Sequence, residues 1–364
     1  MKKLDWYILK NFLSTFFFAI FLFTIIAVVI DLSEKTDNFV KSHLGFFRIV
    51  TGYYYGFIPH IVALLFPLFV YISVIFFTSK MANRTEIIPI LASGISYNRW
   101  LRPYYMGGFI LAGLLWLADQ YVIPKANQIR SAFEARYVDN DNSYNQLTMN
   151  TNTSIYFKID SFTYAGILNY DTLTKRGGPF FMERVEKSKV TQNIRGENIQ
   201  WDTATKKWRL ENTLTRTILP LGEKLVLVPT QQANFNFKPL DLSRDKYTKD
   251  KLTSPELAKF INLEESRGSE GINDLKVELY RRDATPVTVF LLTVIGAIVA
   301  GRKVRGGSGA HLAVGFITAA AFIITDRFST IFSTKGNLPP IIAAWIPNGI
   351  FVFVAMYLYK KAPK

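Results

Sequence analysis

The stretch TEIIPILASGIS, residues Thr85 to Ser96, stands between two long apolar runs. It is too polar to cross a membrane and too apolar for an ordinary surface loop. Ile87, Ile90, Leu91 and Ile95 fall near one helical face, which predicts a short amphipathic helix that Gly94 terminates. What that helix does depends on what flanks it.

The flanks are membrane spans. A hydrocarbon core about 30 Å thick requires roughly 20 apolar residues per helix. Phe12–Ile30, Tyr54–Ser79, Tyr104–Ile123, Pro286–Gly301, Leu312–Ile331 and Leu338–Tyr359 reach or approach that length. The first reads as a retained span: its run exceeds the roughly 7–15 residues of a signal peptide, and no A-x-A-like site follows it. The fourth is short and carries Gly296, but charges close both of its ends. The 364 residues include no cysteine, which excludes disulfides, thiolate metal sites and a thiol nucleophile.

The formal charge of +15 invites a nucleic-acid reading, but its distribution argues against one. With six spans both termini share a side. Lys2, Lys3, Lys10, Lys80, Arg84, Arg99, Arg102, Arg302, Lys303, Arg305, Lys360, Lys361 and Lys364 fall on that side, against Asp5 and Glu86. Pro124 to Asp283 is nearly balanced. The positive-inside rule therefore predicts cytoplasmic termini and short loops, with the long middle segment outside. Topology and anionic headgroups account for the basic excess, so no nucleic-acid partner is expected.

From about Thr151 to Leu242 the text turns to short β-type runs. SIYFKID, TYAGILNY, PFFMERVE, KVTQNIRGENIQWD, KWRLENTLTRTIL, KLVLVP and NFNFKPL are separated by Asn, Asp, Gly and Lys. Their alternation predicts an antiparallel sandwich or jelly roll, with WDTATKKW as a hairpin. In TSPELAKFI, Ser254 reads as a helix cap and Pro255 as the first helical residue. NDLKVELYRRDATP leads back to the membrane. The expected fold is an α-helical membrane protein with six transmembrane helices and an extracytoplasmic all-β, jelly-roll-like domain between the third and fourth. The expected divisions are 1–123, 124–285 and 286–364. The β domain reads either as a spacer or adhesion module, or as a trough that passes a lipid between sheets.

The helix at 85–96 has two readings on its residues alone. It rests on headgroups, or it is a knob for a cytoplasmic partner, where Glu86 would pair with an arginine. TEIIPILASGISYNRWLRP, VELYRRDATPVTVFLLTVIGAIVAG and GNLPPIIAAWIPNGIF together resemble the lipopolysaccharide-export permeases of the LptF/LptG (YjgP/YjgQ) family, over essentially the whole chain. The resemblance implies an ABC exporter whose membrane subunits are separate from its ATPases. This chain would pair with a second permease subunit, paralogue or self. It would work with a cytoplasmic ABC ATPase dimer, a periplasmic jelly-roll bridge protein, lipopolysaccharide and membrane lipids. The short helix would be the coupling helix, with Arg84, Glu86, Ile90, Leu91 and Gly94 as its coupling residues. Arg282 and Pro286 match the family's R-x-x-x-P, and Pro339, Trp345, Pro347 and Asn348 match L-P-P…W-I-P-N. Pro89 departs from the pattern, so the helix either starts late or bends there.

No G-x-x-x-x-G-K-[ST] occurs, so the expected ATP sites lie in partner subunits, and no cofactor or metal is expected here. GGSG after Arg305 reads as a turn. Three histidines, His43, His60 and His311, belong to no catalytic motif, so the chain reads as a permease subunit and not an enzyme. His60 reads as a packed residue, and Asp326 with Arg327 as a local pair near a helix end. A lipid A type ligand requires an apolar cavity rimmed by cations. Lys35, Lys41 and Arg48 are the candidate rim, with Phe66 and Phe69, alongside Phe17 and Phe21, as the wall. The rival class is a membrane-anchored envelope receptor or scaffold that binds a periplasmic partner without transport.

Overall fold

The computed structural model describes residues 3–138, 155–171, 174–186, 189–219, 221–235, 237–239, 248–267, 271–302 and 307–362. Lys2, Lys303, Arg305 and Lys364 of the basic set lie outside the described residues. Helices α1 (Lys3–Lys41), α2 (Phe46–Asn83) and α4 (Tyr97–Val138) precede the β insertion, with the short α3 (Ile87–Ala92) between the last two. After it come the single turn α5 (Thr248–Lys251), then α6 (Ser254–Arg267), α7 (Ile272–Ala300), α8 (Gly307–Thr334) and α9 (Pro340–Lys361). Six of these, α1, α2, α4, α7, α8 and α9, contain a segment long and apolar enough to cross a membrane. An even number of crossings puts Lys3 and Lys361 at the same end of the bundle, called here the terminal end. The opposite end carries the insertion.

Two compact units divide the described chain: residues 1–137, 249–257 and 273–364, and residues 138–248 with 258–272. The expected limits at 123 and 286 both fall inside helices. The third span runs on to Val138 through π-turns at Ala118–Val122 and Glu134–Val138, and a third π-turn occupies Val50–Tyr54 in α2. Pro124 does not stop α4, because it enters at the start of the segment after the first of these π-turns, where a missing N–H is tolerated. Gly307 onward is helical, so the last part of the expected GGSG turn is the first turn of α8.

In hydrocarbon a freed carbonyl finds no water, so it must be satisfied by protein. Pro347 inside α9 removes the N–H that Ala343 would accept, and Ser329 of α8 donates its hydroxyl to that carbonyl at 2.5 Å. The neighbouring Asn348, 3% exposed, donates to Ala284 O at 2.8 Å and accepts from Thr288 at 2.7 Å, both on α7. Thr78 of α2 likewise donates to the buried Tyr104 of α4 at 2.8 Å. One apolar core joins Ile8, Phe12 and Phe16 of α1 to Phe66 and Val70 of α2, Trp100 and Tyr104 of α4 and Val289 of α7. A second, around Tyr71 and Ile295, reaches Ala319 of α8 and Phe351 of α9.

The insertion unit is one antiparallel sheet: β1 (Ile155–Asp160), β2 (Thr163–Ile167), β3 (Arg176–Gly177), β4 (Phe180–Glu186), β5 (Lys189–Gly196), β6 (Asn198–Asp202), β7 (Lys207–Leu219) and β8 (Gly222–Ala233). It branches at the long β7. One half of β7 pairs with β6 and the other with β5, while β8 runs along its opposite side. The β5 branch continues through β4 and β2 to β1, and the β6 branch ends at β3. Ala165, Ile167 and Phe180 of one branch share a core with Ile199, Trp208 and Leu210 of the other, so the sheet curls over a common centre. The hairpin at WDTATKKW forms as expected, with Trp201 opposite Trp208. The expected strand NFNFKPL does not: Phe235 and Phe237 instead stack against each other and plug the core, where Trp208 Nε1 donates to Phe237 O at 2.9 Å.

The closest approach of α2 and α4 depends on a glycine. A Cβ at Gly56 would lie 2.3 Å from Ala126 O and 2.7 Å from Arg130 N. Backbone atoms cannot turn aside as a side chain can, so the helices themselves would have to part. Gly56→Val should therefore cost at least the ~1–3 kcal/mol of ordinary overpacking, measured as a lower Tm of the detergent-purified protein.

Candidate functional site

At the terminal end, α2 stops at Asn83 and the chain reverses through Thr85, which adopts φ 60°. Helix α3 then begins at Ile87. Pro89 is therefore in the first turn, where its missing N–H has no helical partner to lose. The late start, and not a bend, resolves the departure noted in the sequence. Gly94, at φ +82°, ends the helix in the left-handed conformation that glycine adopts without strain. Ile87 is 3% exposed and packs into the main core, with Ile90 and Leu91 against its edge. Ile88 faces outward, 56% exposed. Ile95 lies past the helix, beside Gly94 in a cavity of about 390 Å³ that Asp5, Arg99 and Arg102 also line.

Glu86 immediately precedes α3. Its carboxylate accepts from the Tyr7 hydroxyl at 3.4 Å and lies 3.9 Å from the Arg84 guanidinium, while keeping 30% of its side chain exposed. The five expected coupling residues thus gather at one loop, with one acid presented at its surface. Tyr7, Asp5 and Arg99 were not anticipated there. They come from the first turns of α1 and α4, and the sequence distance between them hides the meeting.

At the insertion end the structure gives the candidate rim residues their surroundings. Lys35 lies on α1, which continues as helix to Lys41. The Lys35 ammonium lies 2.9 Å from Asp31 and 3.1 Å from Glu134, hydrogen-bonds the Tyr53 hydroxyl, and sits 4.5 Å from the Tyr53 ring centroid. It pairs with Asp31 and with Glu134, which Arg130 also approaches at 4.0 Å, so it ties α1, α2 and α4 together. The Asp31–Lys35 spacing of four is legible in sequence, but Glu134 is not, because it sits on the unexpected extension of α4. Lys41 is exposed at the end of α1, and Arg48 is exposed in the first turn of α2. The expected apolar wall also divides. Phe66 and Phe69 are 8% and 2% exposed, Phe66 meeting Phe16 edge-on and Phe69 meeting Phe23 at a tilt. Phe17 and Phe21 point outward at 53% and 65%. Phe17 and Phe21 thus lie on an exposed face of α1, while Phe66 and Phe69 are buried between the helices.

The R-x-x-x-P arginine has a different task. Arg282, its side chain 6% exposed, donates to the carbonyls of Leu252 and Lys249, each at 2.8 Å, and to Ser254 Oγ at 3.2 Å. Glu278, one turn earlier, lies 3.7 Å from its Nε. From the other side, Asn127 and Gln128 of α4 donate to the carbonyls of Asp250 and Lys251 at 3.1 and 2.8 Å. The segment returning from the insertion is thus fastened to α4 and α7. It ends at Thr253, whose N–H and hydroxyl both donate to the Glu256 carboxylate, while Ser254, expected as the cap, is the first residue of α6 and accepts from Arg282. Pro339 and Pro340 open α9, and Trp345 is 40% exposed.

Below this latch lies a cavity of about 570 Å³ between α2, α4, α7, α8 and α9. Leu64, Leu68, Leu292 and Phe322 form its apolar part, and His60, Asp119, Glu278, Arg281, Asp326 and Arg327 its polar part. His60 lines this cavity beside Asn127. Asp326 pairs with Arg281 of α7 at 2.7 Å and not with Arg327. Successive helical residues point about 100° apart and cannot face each other. No group of acids and histidines able to hold a metal occurs among the described residues.

Two outcomes follow from the latch. Arg282→Leu removes charge-assisted bonds to buried carbonyls, each worth about 1.5–3 kcal/mol. It should make trypsin cleavage after Lys249 and Lys251 at least several-fold faster in the folded protein. Burial, and secondly Glu278, raises the Asp250 carboxyl above its ordinary value. The folded state then holds the proton more tightly than the unfolded state, so stability falls as pH climbs from the unfolded value, about 3.9, through the folded one. Asp250→Asn should accordingly raise Tm at neutral pH, and the gain should shrink towards pH 4.

A search among curated proteins found no match. Comparison with family models matches residues 6–361, almost the entire chain, to the lipopolysaccharide export system permease LptF/LptG. With six membrane-crossing helices, this makes the protein a multi-pass inner-membrane component of a transporter: the chain belongs to the LptF/LptG family of lipopolysaccharide export permeases.

Proposed function

We propose that this chain is one of two membrane subunits of an exporter driven by separate cytoplasmic ATPases, and that α3 is the helix those ATPases push. The terminal end faces the cytoplasm and the insertion unit faces the periplasm. Two permease subunits, this chain with its paralogue or with itself, enclose a cavity for lipopolysaccharide drawn from the outer leaflet. ATPase closure compresses that cavity, and the lipid passes to the curled β sheet and on to a periplasmic bridge protein. This chain transmits force and holds substrate; the nucleotide is bound by its partners.

One observation carries this reading. Helix α3 buries Ile87 in the bundle while presenting Glu86 and Ile88 outward. An acid is disfavoured beside anionic lipid headgroups, but it pairs well with an arginine in a protein groove next to an apolar seat. The basic terminal end agrees with a cytoplasmic placement. The outward Phe17 and Phe21 of α1 supply an apolar wall where a second subunit would stand opposite.

The test is purification of the tagged chain from native membranes in mild detergent, with mass spectrometry of the retained proteins. Wild type should retain an ABC ATPase. Glu86→Lys should retain at least tenfold less while folding normally by Tm. A wild type that retains none, under conditions that keep other ABC complexes whole, would instead favour a receptor or scaffold.

A further inference from the structure

Helix α1 is built differently from the other five spans. It contains neither proline nor glycine from Lys3 to Lys41, and no π-turn interrupts it. Kinks arise at proline, at Gly/Ser pairs and at π-bulges, and α1 contains none of these between Lys3 and Lys41. From Asp5 to Lys35 it extends about 45 Å at 1.5 Å per residue.

Its terminal end is tied to the loop that carries α3. Asp5, 5% exposed, accepts from Arg99 Nη2 at 2.8 Å, with the two side chains 7% and 25% exposed. Tyr7 reaches Glu86 at 3.4 Å, and Ile8 shares the core that receives Ile87. Only residues 93–96 separate α3 from α4, so α3 cannot be displaced without moving the turn that holds Arg99. At the far end of the rod, Asp31 and Lys35 bind Tyr53 and Glu134, and between the two ends Phe17, Phe18, Phe21, Ile25 and Ile26 are exposed.

We infer that the Asp5–Arg99 ion pair makes α1 the output arm of α3, so that a push on α3 is delivered along the first span to the outward apolar face. Asp5 and Arg99 are positioning residues: they touch neither lipid nor nucleotide, and their removal uncouples the push from the face that moves. This inference rests on the seating of α3 in an ATPase groove proposed above.

The experiment uses the complete complex with its ATPases in proteoliposomes that contain lipopolysaccharide. It measures ATP hydrolysis, lipopolysaccharide released and ATPase subunit retained. Asp5→Asn should retain the ATPase and hydrolyse ATP within twofold of wild type, while lipopolysaccharide released per ATP falls at least tenfold. Arg99→Gln should behave alike. The exchange of charges, Asp5→Arg with Arg99→Asp, should recover release per ATP to within threefold of wild type. A merely structural pair predicts that retention, hydrolysis and release decline together, and that result overturns the inference. So does unchanged release per ATP in Asp5→Asn and Arg99→Gln beside a working wild type, which leaves the exporter reading intact. A wild-type complex that retains no ATPase removes the exporter reading and this inference with it.

Discussion

Hydrocarbon offers no water to a polar group, and the arrangement of the membrane unit follows from that refusal. A polar group placed among the spans is stabilised by a protein partner, on its own helix or on a neighbouring one. The freed carbonyl of Ala343 finds Ser329, the amide of Asn348 finds Ala284 and Thr288, and Thr78 finds Tyr104. Individually such bonds are modest, about 0.6 kcal/mol on average in membranes. Their value lies in direction: each permits one rotation of its helix and disfavours the rest. Pro347 is therefore a joint, because the carbonyl it frees at Ala343 is satisfied by Ser329 of the neighbouring helix.

Charge is handled by the same rule, and it marks the two ends of the bundle. At the terminal end, Asp5 with Arg99 and Tyr7 with Glu86 bind the first helix to the loop around α3. At the insertion end, Lys35 is held between Asp31 and Glu134, and Arg282 gathers the returning chain. Between these belts α1 presents aromatic and aliphatic side chains to its surroundings. The first helix is thus clamped to its neighbours at both ends while its middle stays exposed.

The spans, the β insertion and the short helix were legible because each depends on a periodic or compositional signal within one segment. Ile87, Ile90 and Leu91 declare a buried face wherever they stand, and WDTATKKW declares a hairpin. The candidate lipid site was legible only in outline. Lys35 read as a candidate rim cation, and its partner Glu134 lies on an extension of α4 beyond the expected third span. Phe66 and Phe17 looked equivalent because hydropathy does not distinguish a side chain facing a neighbouring helix from one facing outward. NFNFKPL alternated like a strand, yet its phenylalanines fill the core of a sheet to which their backbone does not belong. Contacts made across long sequence separations left no local trace.

The latch at Arg282 also bears on how the chain could have been assembled. Asn127 and Gln128, on the way out of the membrane unit, touch Asp250 and Lys251, on the way back. The two cut ends of the membrane unit are thus neighbours, joined by bonds within that unit. Topologically, six helices and their connectors make a closed circuit, and the sheet is a module spliced into one gap of it. Grafts of that kind are the ones that can be exchanged, lengthened or replaced by a short linker while the host keeps its shape.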